Sequence, residues 1–334
     1  MRFYTKFFLA FLLTASLPYV VHAAREVRLL NASYDPTREF YDDYNEWFKV
    51  KWANTHDQKV VIRQSHSGSG KQARAIMDGL PAEVATLALA YDLDAIAEKS
   101  GYVPKDWRKK LPNDAVPMTS TVVFLVRKGN PKAIHDWADL VRDGVEIIAP
   151  SPKTSGGARW NYLAAWVYAI EAHGGNEVAA KEFIRKLYAN VKVLDAGARG
   201  STTTFAQRRI GDVLITWEME AYLAKRQLGD DKFEIIYPSI SILAEPPVAV
   251  VEKVAEHKQK TVLAYAYLRG LYEKPAQELA AKHFFRPINL EVMQQYRAQF
   301  PELKTVSINT LGGWDLVQKK HFADGGIFDE IYAQ

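Results

Sequence analysis

The sequence predicts a mixed α/β protein with mainly parallel strands, divided into two lobes. Three observations carry this. Short apolar runs alternate with amphipathic stretches along the chain, the pattern of strands joined by helices. Several strand-to-helix junctions are loops of small residues, as at Ser69-Gly70, Ser155-Gly156-Gly157 and Ala198-Arg199-Gly200. A strand-rich middle is entered near Thr121 and left within Ser239 to Val251, so the chain returns to where it began. The expected division is a first lobe from 24–118 and 247–334 and a second from 119–246, with the C-terminal helices packing on either lobe.

The elements follow in order. Glu26 to Ala32 reads as a strand running into Ser33-Tyr34-Asp35-Pro36. Asp at the N-cap and Pro at the first helical position start a helix to about Trp52, with Phe40, Tyr44 and Phe48 on one face. Lys59 to Arg63 is the next strand, and after the loop Ser65 to Gly70 comes a helix with Ala73, Ile76, Met77 and Leu80 inward. Val84 to Ala90 is nearly all apolar, as a strand buried on both faces should be. Thr121 to Arg127 and Gly144 to Ala149 are further strands. The second feeds Pro152 to Gly175, in which Trp160, Leu163, Val167 and Ile170 form a helical face that stops at Gly174-Gly175. Val191 to Leu194 is a strand, Thr202 to Arg209 a helix, and Asp212 to Thr216 a strand ending on Trp217. Glu218 to Gln227 is helical and Phe233 to Tyr237 a strand; from Gln259 onward the pattern is mainly helical.

Composition excludes several classes of function. Lys and Arg number 43 against 39 Asp and Glu, a net charge of +4 that falls to +2 without Arg2 and Lys6. So small and dispersed a charge argues against nucleic acid or an anionic membrane as a partner. Arg2 and Lys6 precede an apolar run from Phe7 to Val21, and Val21-His22-Ala23 has the small-x-small form of a cleavage site. Residues 1–23 are therefore expected to be a cleaved signal peptide. The chain has no cysteine, which removes disulfides, thiolate catalysis, Cys-ligated zinc and a lipid anchor on an N-terminal Cys. An exported, unanchored, cysteine-free chain is expected in the periplasm.

The three small-residue loops share one design. Each follows a strand and opens a helix, where the first backbone N–H groups lack intrahelical acceptors and the peptide dipoles place partial positive charge. Gly permits close approach to the backbone, and a Ser hydroxyl adds a donor. One such loop is an ordinary helix start; a cleft where three converge would suit an oxyanion. Other chemistries fit less well. Ser69-Gly70-Lys71 is not a P-loop, because Ser65 stands where the first Gly is needed and Gln72 follows the Lys. The histidines lack the spacing of zinc ligands on a helix, and no metal or cofactor is expected. His66 lies near Ser69, but there is no G-x-S-x-G elbow, so a hydrolase is the outsider and no enzyme activity is expected. Trp217 offers an N–H that donates and cannot accept, which suits an ionised oxyanion.

Together these segments resemble the periplasmic sulfate-binding proteins, the soluble receptors of sulfate/thiosulfate ABC importers. The resemblance is carried by NASYDPTREFY (Asn31 to Tyr41), QSHSGSGKQA (Gln64 to Ala73), LALAYD (Leu87 to Asp92) and FLVRKGNPK (Phe124 to Lys132). It continues through PKTSGGARWNYLAAW (Pro152 to Trp166), GARGSTTTF (Gly197 to Phe205), GDVLITWE (Gly211 to Glu218), ILAEPPVAVV (Ile242 to Val251), GGWD and HFADGGIFD. It implies a two-lobed periplasmic-binding fold of type II, each lobe a mixed, mainly parallel sheet flanked by helices, with the ligand cleft between lobes. Sulfate, or thiosulfate, would be held by backbone N–H groups of Ser69, Ser155, Gly156, Gly157 and Ala198, by the Ser155 hydroxyl and by the Trp217 indole. Asp35, Gly70, Asp92, Arg159 and Arg199 would support the site, the arginines as partners of carboxylates such as Asp92. A monomer delivering its ligand to the transmembrane permease of a sulfate importer is implied. Another tetrahedral oxyanion, such as phosphate or molybdate, is the alternative ligand. Ser67 stands where the family often has Gly, a departure expected to bear on the geometry at Ser69.

Overall fold

In the computed structural model, which describes residues 25–332, the strands assemble into two main sheets. The expected signal peptide, residues 1–23, lies outside the described residues. The first sheet begins with β1 (Arg25–Tyr34), β2 (Gln58–Ser67) and β3 (Val84–Thr86). The second is built from β4 (Val122–Arg127), β5 (Ile147–Pro150), β6 (Val191–Asp195), β7 (Val213–Trp217) and β8 (Phe233–Ile236). The chain then returns with β9 (Val248–Val250), so that the first sheet has the order β9-β3-β1-β2. There β1 is parallel to both neighbours and β9 is antiparallel to β3. The second sheet has the order β6-β5-β7-β4-β8; β5 is parallel to β6 and β7, while β4 is antiparallel to β7 and β8. Residues Val122 to Val126 of β4 are all buried, as a central strand covered on both faces requires. The two passages between sheets run side by side, with Ser120 bridged antiparallel to Ala244.

The first helix begins later than expected. Asp35–Thr37 forms a 3-10 turn with Asp35 paired to Arg38, and α1 (Arg38–Thr55) follows. Phe40, Tyr44 and Phe48 are fully buried on its inner face, as their four-residue spacing requires. The next helices are α2 (Ser69–Met77), α3 (Ala90–Lys99), α4 (Gly156–Ala172) and α5 (Glu177–Ala189). Then come α6 (Ala198–Thr202), continued by a π-helical turn at Thr203–Gln207, and α7 (Glu218–Leu228). After the return, α8 (Thr261–Gly270) packs on α1, where the Tyr44 hydroxyl donates to the Tyr267 carbonyl, and α9 (Lys274–Lys282) lies beside them.

Two stretches differ from the sequence reading. The apolar run Val84 to Ala90 is strand only as far as Thr86; Leu87, Ala88 and Leu89 form a loop, and Ala90 opens α3. The loop is apolar because the second sheet's helix α4 lies against it. At the C-terminus, α10 (Gly313–Val317) and α11 (Ile327–Tyr332) are short: α10 packs on α3 and, through Trp314, against Trp160 of α4, while α11 lies on α5. The Tyr162 hydroxyl meets His321 Nδ1 at 3.0 Å, and Lys153 pairs with Asp329 at 2.6 Å.

Candidate functional site

Four turns of chain, two from each lobe, begin at one small cavity between the sheets. Its volume is about 60 Å³. Tyr34, Asp35 and Pro36 line it after β1, and Ser67, Gly68, Ser69 and Lys71 line it between β2 and α2. Thr154 to Gly157 close it before α4, and Ala196 to Ala198 before α6. Strand register places these turns together: β1 and β2 end side by side at Tyr34 and Ser67, and β5 and β6 at Pro150 and Asp195.

At α4 the local chemistry is that of a capped helix. Ser155 is the N-cap, and its Oγ accepts from the Ala158 N–H at 3.3 Å. Gly156 and Gly157 then occupy the first two helical positions, whose N–H groups have no acceptor within the helix. The Ser155 N–H donates to the Ser151 carbonyl at 2.9 Å. Of the two Ser155 donors expected at the site, only the hydroxyl is therefore left for a ligand.

At α2 the Gln72 N–H closes the first turn on the Gly68 carbonyl at 3.0 Å, leaving Ser69 at the first helical position. The Ser69 side chain turns away from this role. Its hydroxyl donates to Asp92 and accepts from the Ala88 N–H at 3.0 Å, which anchors the residue whose backbone lines the cavity. Burial raises the Asp92 carboxyl, while the Ser69 hydrogen bond and the charge of Arg159 oppose that rise. At α6, Gly197 precedes Ala198, and the Ser201 N–H closes the turn on the Gly197 carbonyl at 3.1 Å.

Missing side chains let the two lobes meet. A Cβ on Gly156 would lie 2.9 Å from Ser69 Cβ and 3.0 Å from Ala88 Cβ. A Cβ on Gly68 would lie 2.8 Å from the Thr154 carbonyl oxygen. Both are closer than atoms pack, so this contact between lobes requires glycine on one side. Gly70 carries no such demand: its nearest neighbour would be Asp92 Oδ1 at 3.8 Å. Ser67 ends β2 in register with Tyr34, an extended position that accepts a side chain.

Trp217 ends β7 and is buried, with its ring 5.6 Å from that of Tyr34. Its indole N–H donates to the Gly157 carbonyl at 3.2 Å. The structure thus brings Trp217 to the Gly157 loop, but with its donor held by the loop's own backbone.

Asp35 and Lys71 are the charged side chains on the cavity wall, and Asp35 is bonded to Arg38 at 2.9 Å. Arg199 reaches across the cleft to Glu39 rather than to Asp92, with two hydrogen bonds of 2.9 Å. Burial works against both charges, yet these bonds hold the Glu39 carboxyl below and the Arg199 guanidinium above their usual ranges. Arg159 donates to the Pro152 carbonyl at 3.0 Å and to Gln318 at 2.8 Å, and acts on Asp92 only through its field. Behind α6, burial pushes the Glu220 carboxyl up to about 7; the Thr202 hydroxyl donates to it at 3.2 Å.

Sequence reasoning missed Glu39, Gly68 and Lys71 as site residues. Gly68 and Lys71 flank Ser69 in the same loop, and Glu39 sits four residues after Asp35, one turn further along. Those spacings were the available signals.

A family model described as bacterial extracellular solute-binding protein matches residues 32–286. The chain belongs to that family. Among the relatives of this solute-binding protein, the sulfate-binding protein of Escherichia coli (strain K12) is 57% identical over 309 residues, 92% of this chain and 94% of that one. The thiosulfate-binding protein of Pseudomonas aeruginosa is 49% identical over 331 residues, 98% of this chain and 99% of that one. Of solved structures, the sulfate-binding protein SubI from Mycobacterium tuberculosis matches with a TM-score of 0.77 and 32% identity, over 89% of this chain and 99% of that one. The ferric binding protein from Campylobacter jejuni, at 15% identity and a TM-score of 0.64, shares the fold alone, over 91% of this chain and 99% of that one. The two-lobed, type II fold expected from the sequence is the fold of this solute-binding protein.

Proposed function

We propose that this chain is a periplasmic receptor that binds sulfate, and also thiosulfate, between its lobes and delivers it to an ABC-type membrane importer. The observation that carries the reading is the convergence of four helical turns, from both lobes, on one cavity of about 60 Å³. The sulfate- and thiosulfate-binding relatives support it. The proposed donors are the N–H groups of Ser69, Gly156, Gly157 and Ala198, the Ser155 hydroxyl and, beyond the sequence expectation, the N–H of Asp35, the first residue of the 3-10 turn on the cavity wall. The Trp217 indole joins them by exchanging the Gly157 carbonyl for the anion. Toward the anion these groups donate, and a fully ionised tetrahedral oxyanion only accepts. Helix termini supply partial positive charge, with Lys71 as the side-chain cation on the wall, and charge-assisted hydrogen bonds offset dehydration.

Gly70, Asp92, Arg159, Arg199 and the Asp35 carboxylate support the site in this reading. The lobes divide at 118/119 and 246/247, residues 1–23 are removed on export, and the receptor works as a monomer. The anion favours the closed state because both lobes touch it there. No bond is made or broken. Phosphate or molybdate is the weaker reading: phosphate keeps a proton and needs an acceptor, whereas the groups proposed to touch the anion all donate to it. Calorimetry of the purified protein with sulfate, thiosulfate, molybdate and phosphate tests this. Tight one-to-one binding of sulfate or thiosulfate is expected; heat with neither overturns the reading.

A further inference from the structure

We propose that Trp160 is a positioning residue that latches the lobes closed and ties closure to the Ser69 side of the site; this rests on the anion-receptor reading above. Helix α4 belongs to the second sheet's lobe and carries Ser155 and Gly157 at the cavity. Gly156 and Trp160, four residues apart, lie on one face of the same helix. That face meets the Leu87–Leu89 loop of the first lobe. At Gly156 the contact is van der Waals, with Leu89 Cγ 3.3 Å from where a Cβ would stand. One turn later it is a hydrogen bond: the Trp160 indole N–H donates to the Ala88 carbonyl at 2.9 Å. Trp160 is completely buried, and Trp314 holds its ring edge-on, centroids 4.8 Å apart at 85°.

The contact continues into the site. The peptide unit that follows Leu89's neighbour Ala88 accepts from Trp160, and the Ala88 N–H donates to Ser69 Oγ at 3.0 Å. The Ser69 hydroxyl in turn donates to buried Asp92. A donor from one lobe is thus joined through Ala88 to the residue that presents its backbone to the cavity from the other lobe. Parting the lobes exposes the indole N–H and the Ala88 carbonyl to water. Closing removes that water, so the bond must form or a buried acceptor is left unmet.

The test is stopped-flow sulfate binding to wild type and Trp160→Phe, read by the fluorescence of the remaining tryptophans. The latch predicts a dissociation rate raised about 5- to 30-fold, an association rate within about twofold, and an unchanged melting midpoint of the ligand-free protein. A rigid pivot present in both states predicts the opposite: a lower ligand-free midpoint with dissociation unchanged, and that result overturns the proposal. If Trp160→Phe does not fold, hydrogen exchange of the indole N–H in ¹⁵N-tryptophan-labelled wild type decides. Protection gained on adding sulfate supports the latch, and equal protection with and without sulfate overturns it. A wild type with no sulfate affinity would instead overturn the receptor reading, a separate result seen by calorimetry before any variant is made.

Discussion

Arg199 and Glu39 face each other across the cleft as a two-armed ion pair, both arms 2.9 Å long. Arg199 directly follows Ala198 at the start of α6, and Glu39 lies in the first turn of α1, just after the Asp35 turn. The pair therefore joins two of the four turns that line the cavity. Its side chains are 33% and 25% exposed, so water screens it only in part. An exposed pair contributes about 0–1 kcal/mol, and the two-armed geometry places this one at or above the upper end. Glu39→Gln should weaken sulfate binding about 3- to 10-fold, chiefly through faster dissociation. A double-mutant cycle with Arg199→Met isolates the pair, and a coupling energy near zero would remove it from closure.

Gly156→Ala is expected to weaken binding about 5- to 150-fold. The added Cβ falls 2.9 Å from Ser69 and 3.0 Å from Ala88, atoms fixed by backbone rather than flexible tips. The lobes must part by several tenths of an ångström, and overpacking of this kind costs about 1–3 kcal/mol. Gly70→Ala is the control, because its nearest atom would be 3.8 Å away. Isothermal titration of both variants gives the comparison, and equal affinities would show that closure does not need the Gly156 contact.

Trp217→Phe should weaken binding by a smaller factor than loss of a full charge-assisted hydrogen bond. In the structure the indole donates to the Gly157 carbonyl at 3.2 Å. Binding exchanges a neutral acceptor, worth about 1 kcal/mol, for a charged one worth about 1.5–3 kcal/mol. The difference corresponds to a loss of about 2- to 30-fold. A calorimetric affinity equal to wild type would mean that the indole stays on Gly157 in the bound state.

Much of this site was legible because helix starts are local. Ser before two glycines, or Gly-Ser and Gly-Ala after a strand, announces free N–H groups within a few residues, so Ser69, Gly156, Gly157 and Ala198 could be named from sequence. What escaped depends on distance along the chain. Glu39 is 160 residues from Arg199. The family resemblance offers Asp92 as an arginine's partner, and the packed lobes pair Arg199 with Glu39 instead. The Leu87–Leu89 loop was read as strand because its apolar residues match a buried strand; their burial comes from α4, which no periodicity reveals. The Ser155 N–H was counted as free although a backbone turn to Ser151 takes it.

Glu220 makes stability depend on pH. Burial raises its carboxyl from 4.5 to about 7, with Glu39 and Asp35 adding to the rise and Arg199 and Thr202 opposing it. The folded state holds the proton more tightly than the unfolded chain. Its stabilising contribution is therefore full below about pH 4.5 and is lost as pH rises through about 7. At about 1.4 kcal/mol per pKa unit the loss is on the order of 3 kcal/mol. Glu220→Gln, which cannot ionise, should gain on wild type between about pH 5 and 8 in urea unfolding. A stability difference that does not change with pH would show that Glu220 does not titrate with unfolding.

The last prediction separates sulfate from phosphate. Sulfate is a dianion throughout the neutral range and offers only acceptors, whereas phosphate keeps at least one proton. That O–H must find an acceptor or remain unmet in a site closed from water. Ser155 Oγ already accepts from Ala158, and the Asp35 carboxylate is bonded to Arg38. An unmet buried hydrogen bond costs about 1–3 kcal/mol, and sites built for one pattern discriminate by about 10⁴–10⁵. Burial holds His66 toward its neutral form, so within the protein the group to control for is Glu220, whose carboxyl is pushed up to about 7 and which is joined by charge to Arg199 and Asp35 at the site. In Glu220→Gln, where that titration is absent, sulfate affinity should change less than about threefold between about pH 6 and 8, and in the wild type millimolar phosphate should not displace sulfate. Competition calorimetry at both ends of that range decides. Displacement by phosphate would mean that the Asp35 carboxylate, which Arg38 engages only through Oδ1, accepts the phosphate proton, and the site would then be one for a protonated oxyanion.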